Sequence, residues 1–468
     1  MNAGATGPLA PPARAKGGRP RRVRIWVALS TLAGVIACTL LVAFGAEAIV
    51  SRASCTAHPV VVRLAAAEEI APAIRHVATF FNAQHQDVNG HCAAVHVISE
   101  PSATAAAQIA QSGTSTAFDA WIPDSSLWVS VARSSPAGAQ LVQQTGLTVA
   151  RSPLAIVMPR SVAEQVPAFG ASVGWQFLLP QSVGGPATGL GLHVDFPDPA
   201  GSSAGLATLI ELQNLLGSGT GALADFTKFV FNVQVTKDEG STALASLASL
   251  AQPPRDERPV TIASEQAIAQ FNRAHPAEPL AARYPTGGTY ELDYPYVLTT
   301  ADAVTQKAAQ AFETALRSAY ATSYVRYEGF RSAAGAAPSW IGQYGLDTGQ
   351  PALSQAAAPG QAQTSLQAWE RLSLGSRDLV LLDVSQQMAT PVAPGGPTLE
   401  QVLGQAAGLG LAQFPDSTQL GDWAFASHLN GSLPYKELVP VGPLSAPLGL
   451  ITRRQEAGQI AQQGKPVP

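Results

Sequence analysis

Hydrophobic and polar positions are patterned most clearly from Leu192 to Gly217. Leu192, Val194 and Phe196 alternate with His193 and Asp195, the period of a half-buried strand. Pro197 and Pro199 end that strand, because proline has no N–H to give to a ladder. Gly201, Ser202 and Ser203 then open a helix. Its apolar stripe is Leu206, Leu209, Ile210, Leu212, Leu215 and Leu216, and Gly217 stops it. The first turn of a helix has free N–H groups and the positive end of the dipole. With small residues there, the stretch reads either as a cradle for a ligand oxygen or as an ordinary serine-capped helix.

The same alternation of strand and helix runs from Val60 onward. Val60–Ala65, Val95–Ser99 and Phe118–Ile122 have strand patterns. Glu69–Asn82, Ala103–Ser112 and Ser126–Arg133 have helical ones. Ser152–Met158 and Pro259–Ala263 are further strands, and Ser264 opens a helix that runs to Ala274. This order predicts a parallel α/β sheet with helices on both faces. Ligands of open α/β sheets sit at the carboxyl ends of the strands. The loops at those ends are Ala66–Glu69, Glu100–Ser102 and Pro123–Ser126.

Length and charge add an address. The chain has 468 residues, room for two or three domains. Its net charge of -4 hides six basic residues, Arg14 to Arg24, in a stretch without acids. The remainder is acidic, which excludes nucleic acid as an expected partner. Ile25 to Ala46 has no charge and would span roughly 33 Å as a helix, enough to cross a bilayer core. The basic flank puts residues 1–24 in the cytoplasm and the bulk outside, after a signal-anchor helix over 25–50. A cleaved signal peptide and lipidation at Cys38 are the competing readings. Outside the membrane, Cys55 and Cys92 each precede a strand. If those strands are adjacent and parallel, an oxidising compartment favours a disulfide between them.

Gly201-Ser202-Ser203-Ala204-Gly205 also matches G-x-S-x-G, the nucleophile elbow of α/β-hydrolases. An elbow needs the strand to run directly into the first glycine, and here Asp198, Pro199 and Ala200 intervene. His275 and His428 stand in unrelated contexts. No enzyme activity is expected.

Four motifs in order carry a resemblance. They are Asp119-Ala120-Trp121-Ile122-Pro123-Asp124-Ser125, Asp198-Pro199-Ala200 with Ser202-Ser203-Ala204-Gly205, Ser264-Glu265-Gln266-Ala267, and Asp293-Tyr294-Pro295-Tyr296. Together they resemble an extracellular solute-binding protein of the type II periplasmic-binding fold, the substrate-binding kind that serves ABC transporters. The narrower likeness is to the actinobacterial branch joined to a von Willebrand factor A domain. The resemblance implies an α/β solute-binding domain over 59–335. One lobe takes about 59–150 and 295–335, and the other takes 151–294. The crossings lie near Val149–Ser152 and Tyr290–Leu298. A small polar solute would lie between the lobes, bound by Ser102, Trp121, Asp124, Ser125, Ser202, Ser203, Ser264, Glu265 and Gln266. No cofactor is required.

Residues 336–375 are rich in Ala, Gln, Gly and Pro and read as a linker. Residues 376–468 resemble the first half of a von Willebrand factor A domain, an incomplete Rossmann-like unit. The run from Arg377 to Met388 reads as its first strand, buried and parallel, ending in Asp-x-Ser, and Asp383 and Ser385 match the start of the family's Asp-x-Ser-x-Ser Mg²⁺ motif. Gln387 replaces the second serine, so metal binding is expected to be weak or lost. Such a domain also suggests a second reading, in which a surface protein or the cell envelope is the partner.

Overall fold

The computed structural model describes residues 59–112, 116–165, 173–180, 183–185, 191–236, 243–251, 257–373, 377–411, 414 and 418–463. The basic tail, the expected signal-anchor helix, Cys38 and Cys55 lie outside them. No helix among the described residues is long and apolar enough to cross a membrane. Cys92 is disulfide-bonded.

In chain order the strands are β1 (Val60–Ala66), β2 (Asp87–Val88), β3 (His91–Ser99), β4 (Ala120–Ile122), β5 (Gln143–Thr148), β6 (Ser152–Pro159), β7 (His193–Pro197), β8 (Gln234–Thr236), β9 (Pro259–Ser264), β10 (Leu280–Arg283), β11 (Glu291–Leu292) and β12 (Pro295–Leu298). The helices that shape the site are α1 (Ala71–Ala83), α2 (Ser102–Gln111), α3 (Ser126–Arg133), α4 (Ser203–Leu216), α5 (Thr220–Asn232), α6 (Ala243–Ala251), α7 (Glu265–Ala274) and α8 (Gln361–Ser373).

The strands form two sheets, one per lobe. The first has the order β2-β3-β1-β4-β12-β5, and the second β10-β6-β9-β7-β8 with β11 on β6. Pairing is parallel where helices connect the strands, as in β3-β1-β4 and β9-β7-β8. It is antiparallel where β12, β5, β6 and β10 join, so both sheets are mixed rather than parallel. The whole of β6 is buried, as its unbroken apolar run requires of a strand covered on both faces. In the first lobe Ile74, Val77 and Phe81 put one face of α1 against the sheet, and Phe81 meets Phe312 edge to face at 5.3 Å.

Three segments cross between the lobes, one more than the sequence suggests. Val149–Arg151 and Asp293–Tyr294 run side by side, with the Val149 N–H donating to the Tyr294 carbonyl at 3.0 Å. The third is Phe330–Arg331: Arg331 and Arg151 exchange backbone hydrogen bonds at 2.9 and 3.1 Å. Tyr294 holds φ +38, a left-handed conformation that a bulky residue adopts only when its surroundings impose it.

The expected linker is a correction. Ile341 and Leu346 sit in the core of the second lobe. Thr289 pairs with Leu353 in a short bridge. The helix α8 then buries Ala362, Ser365, Leu366 and Trp369, a stripe at helical spacing. It packs on α3 of the first lobe and on α4 and α5 of the second. Its apolar stripe is what turns a Gln/Ala-rich stretch into structure.

After α8 come β13 (Arg377–Asp383), α9 (Leu399–Leu411), β14 (Gln419–Asn430), β15 (Leu433–Pro443) and α10 (Arg453–Gln463). Their sheet runs β13-β14-β15, with β13 parallel to β14 and β15 antiparallel. The strand expected to be buried is instead an edge strand that ends at Asp383, and Leu379 and Leu381 on it stay exposed.

Candidate functional site

A cavity of about 460 Å³ opens between the lobes. The first lobe supplies the loops after its strands: Ala67, Glu68 and Glu69 after β1, Pro101 and Ser102 after β3, and Asp124 after β4. The second supplies Pro197, Asp198 and Ala200 to Ala204 from the end of β7 to the start of α4, Ser246 and Leu247 of α6, and Thr261 to Ser264 of β9. These are carboxyl ends of strands and amino ends of helices, where backbone N–H groups and short side chains converge.

The caps are built locally. Ser202 caps α4, its Oγ accepting from the Gly205 N–H at 3.3 Å, and Ser264 caps α7 by accepting from Ala267 at 3.2 Å. Gly205 is required by packing: a Cβ there would lie 2.2 Å from the Pro197 carbonyl oxygen. The glycine of the G-x-S-x-G pattern thus serves the close approach of α4 to β7.

Ser203 is likewise accounted for without catalysis. It is buried, and its Oγ accepts from Trp128 Nε1 of α3 at 2.6 Å, which joins the two lobes. Ser203→Ala leaves that indole N–H buried and unpaired. The expected cost is about 1–3 kcal/mol in urea unfolding. An unchanged midpoint would mean that the lobes stand apart in solution.

Of the residues expected to bind ligand, Ser102, Asp124, Ser202, Ser203 and Ser264 line the cavity. The others do not. Trp121 is 0% exposed in the middle of β4, where all three residues are buried; it packs the core and offers no platform. Ser125 caps α3 by accepting from the Leu127 N–H. Glu265 is held by Arg331, with Nε to Oε1 at 2.9 Å and Nη2 to Oε2 at 2.7 Å, and also receives the Tyr284 hydroxyl. Gln266 donates its backbone N–H to Ser152 Oγ and its Nε2 to the Glu328 carbonyl.

Glu68, Glu69, Asp198, Ser246 and Thr261 join the wall instead. The first two stand in the loop after β1, a position the strand pattern marks. Asp198 accepts from the Ala200 N–H at 3.0 Å and from Trp369 Nε1 of α8 at 3.1 Å. Loss of water pushes the Glu69 carboxyl up to about 8, and the charges of Asp124 and Glu68 push the same way. Burial also raises Asp124, against a downward pull from the hydroxyls of Ser102 and Ser203.

At the far end of the chain, Asp383 Oδ1 accepts from the Ser385 N–H at 2.9 Å, a turn bond. Among the described residues no group of three His, Cys, Asp or Glu could hold a metal ion. The two expected Mg²⁺ ligands, Asp383 and Ser385, are thus tied to each other in a turn.

A profile of the bacterial extracellular solute-binding protein family matches residues 62–331. The chain belongs to this family. Comparison with curated proteins gives no match. Among solved structures, a periplasmic thiamin binding protein is 13% identical, with a TM-score of 0.50 over 68% of this chain and 98% of that one. The sulfate-binding protein SubI from Mycobacterium tuberculosis is 18% identical, with a TM-score of 0.44 over 62% and 93%. The periplasmic binding protein AfuA from Actinobacillus pleuropneumoniae, with fructose-6-phosphate bound, is 14% identical, with a TM-score of 0.46 over 67% and 96%. The fold of this solute-binding protein is therefore the two-lobed one that its own sheets display, and its interlobe cavity is the candidate site. Members of the family bind solutes and are not enzymes.

Proposed function

We propose that the chain is a non-catalytic receptor for a small polar solute, anchored to the cell membrane by its N-terminal apolar run and working outside the cell. The observation that carries this is the cavity between two lobes joined by crossing segments, lined by strand ends, helix caps and carboxylates. Solute enters the open cleft, and rotation about Val149–Arg151, Asp293–Tyr294 and Phe330–Arg331 closes it. The basic flank and apolar stretch before residue 50 support the anchor, and the bonded state of Cys92 supports pairing with Cys55. Membership of the solute-binding family supports delivery of the solute to a membrane permease.

The test is thermal unfolding of the full chain against anions, sugars, amino acids and amines. A ligand that binds only the folded state at 100 times its Kd adds about 2.7 kcal/mol. A folded chain that no compound stabilises would overturn the reading.

A second reading is favoured by one observation. Leu379 and Leu381 of β13, with Leu403 and Leu409 of α9, leave apolar surface exposed on the segment that resembles a partial von Willebrand factor A domain. Surface of that kind suits a protein partner. Protection of β13 by such a partner, with the cleft empty, would favour a scaffold role.

A further inference from the structure

The cavity wall is chemically one-sided. Glu68, Glu69 and Asp124 face it from the first lobe, and among the described lining residues there is no Lys, Arg or His. Asp124 Oδ1 is buried and has no hydrogen-bond partner in the protein. An oxyanion would meet the carboxyl groups of Glu68, Asp124 and Asp198 with no side-chain cation among the described lining residues to offset them, against the general rule that buried charges are paired. No aromatic side chain lines the cavity among the described residues, so the cage that recognises quaternary ammonium groups is missing. The carboxylates do not converge as metal ligands, since no group of three that could hold an ion exists among the described residues. A primary ammonium remains. It has three N–H donors, is charged at neutral pH, and needs acceptors rather than a ring face.

We propose that the cleft takes solutes carrying a protonated primary amine, with the ammonium seated between Glu69 and Asp124. The hydroxyls of Ser246 and Thr261 and the apolar faces of Leu247 and Ile262, from the opposite lobe, are left for the rest of the molecule. This rests on the receptor reading above and names its ligand class.

The site has a built-in proton signature. Glu69 faces Glu68 on its own loop, Asp124 after β4, and Tyr294 at the crossing, which Asp293 in turn faces. The carboxylates disfavour its charge, and a hydrogen bond with Tyr294 favours it but does not outweigh them and the loss of water. Burial therefore keeps Glu69 protonated in the empty cleft up to about 8. An ammonium supplies the missing counter-charge. The carboxyl O–H bond breaks, its proton goes to the buffer, and the ligand nitrogen keeps all of its own.

Calorimetric titration of the full chain in two buffers of different ionisation enthalpy tests this. The probes are putrescine, spermidine, L-lysine and glucosamine, with sulfate, phosphate and glucose as counter-probes. At least one amine should bind near neutral pH with release of close to one proton. Its affinity should rise by close to tenfold per pH unit until Glu69 is ionised. Glu69→Gln should abolish that slope, and Glu69→Gln and Asp124→Asn should each weaken binding at least tenfold. Should either variant fold poorly, the proton count on the unmodified chain still decides. If sulfate, phosphate or glucose binds while the amines are silent, the ligand class is wrong and the receptor reading stands. Amine binding without proton release, indifferent to both substitutions, would also overturn the proposal. Silence from every probe would overturn both.

Discussion

Replacing Arg331 with methionine lowers the unfolding midpoint by an expected 5–15 °C or so, since breaking a buried ion pair from one side costs about 3–5 kcal/mol. Both Arg331 and Glu265 side chains are 0% exposed. The guanidinium does more than pair with the carboxylate. Nη1 donates to the carbonyls of Gly335 at 3.3 Å and Gly349 at 2.8 Å, and Nη2 donates to the Asp347 carbonyl at 2.9 Å. One side chain thus neutralises a buried charge and ties down a loop that would otherwise have unpaired carbonyls. Methionine matches the stem and none of the donors. The double variant Arg331→Met with Glu265→Gln should recover part of the loss, because a neutral amide no longer needs the counter-charge. Scanning calorimetry of the three proteins separates the terms. A single variant that melts with the parent would show that the pair is solvated.

The opposite sign is expected at Glu69. Its pKa in the fold, about 8, stands above the ordinary 4.5. Between those values the folded chain binds more protons than the unfolded one, so stability falls as pH rises through the window. Below about pH 4 the carboxyl is neutral in both states and contributes no penalty. Glu69→Gln keeps the shape and removes the ionisation. The empty variant should therefore match the parent near pH 4 and exceed it by about 1–3 kcal/mol at pH 8. Urea unfolding at the two pH values measures the difference. Curves that stay parallel would mean that Glu69 is solvated in the empty cleft. A residue that destabilises the empty receptor and is placed in its ligand cavity has the character of a binding group.

Much of the frame is legible from local pattern. The apolar run of β6, the alternation in β7 and the serine caps of α4 and α7 are all set by neighbours in sequence. The capping serines and Asp124 could be placed in the cleft because strand ends and helix starts fix their address. What pattern could not give are the long-range pairings. Glu265 looks like a free carboxylate at a helix start, and its partner Arg331 is 66 positions away. Trp121 looks like a platform until both faces of β4 are seen to be covered. Glu69 follows a strand whose pattern is plain in the sequence, yet its significance comes from Asp124, brought beside it by the parallel pairing of β1 with β4. Residues 336–375 read as a linker because their Ala, Gln and Pro content masks the spacing of Ala362, Leu366 and Trp369.

The packing of this solute-binding fold reaches beyond the point where its kinship ends. The family match stops at Arg331, the residue whose guanidinium depends on carbonyls supplied as far on as Gly349. Trp369 of α8, further still, packs on Phe196 and holds Asp198 at the cavity rim. A gene fragment cut at the kinship boundary would encode a fold stripped of its own fastenings. The packing around the cavity runs on to Ser373, some forty residues past the end of the family match.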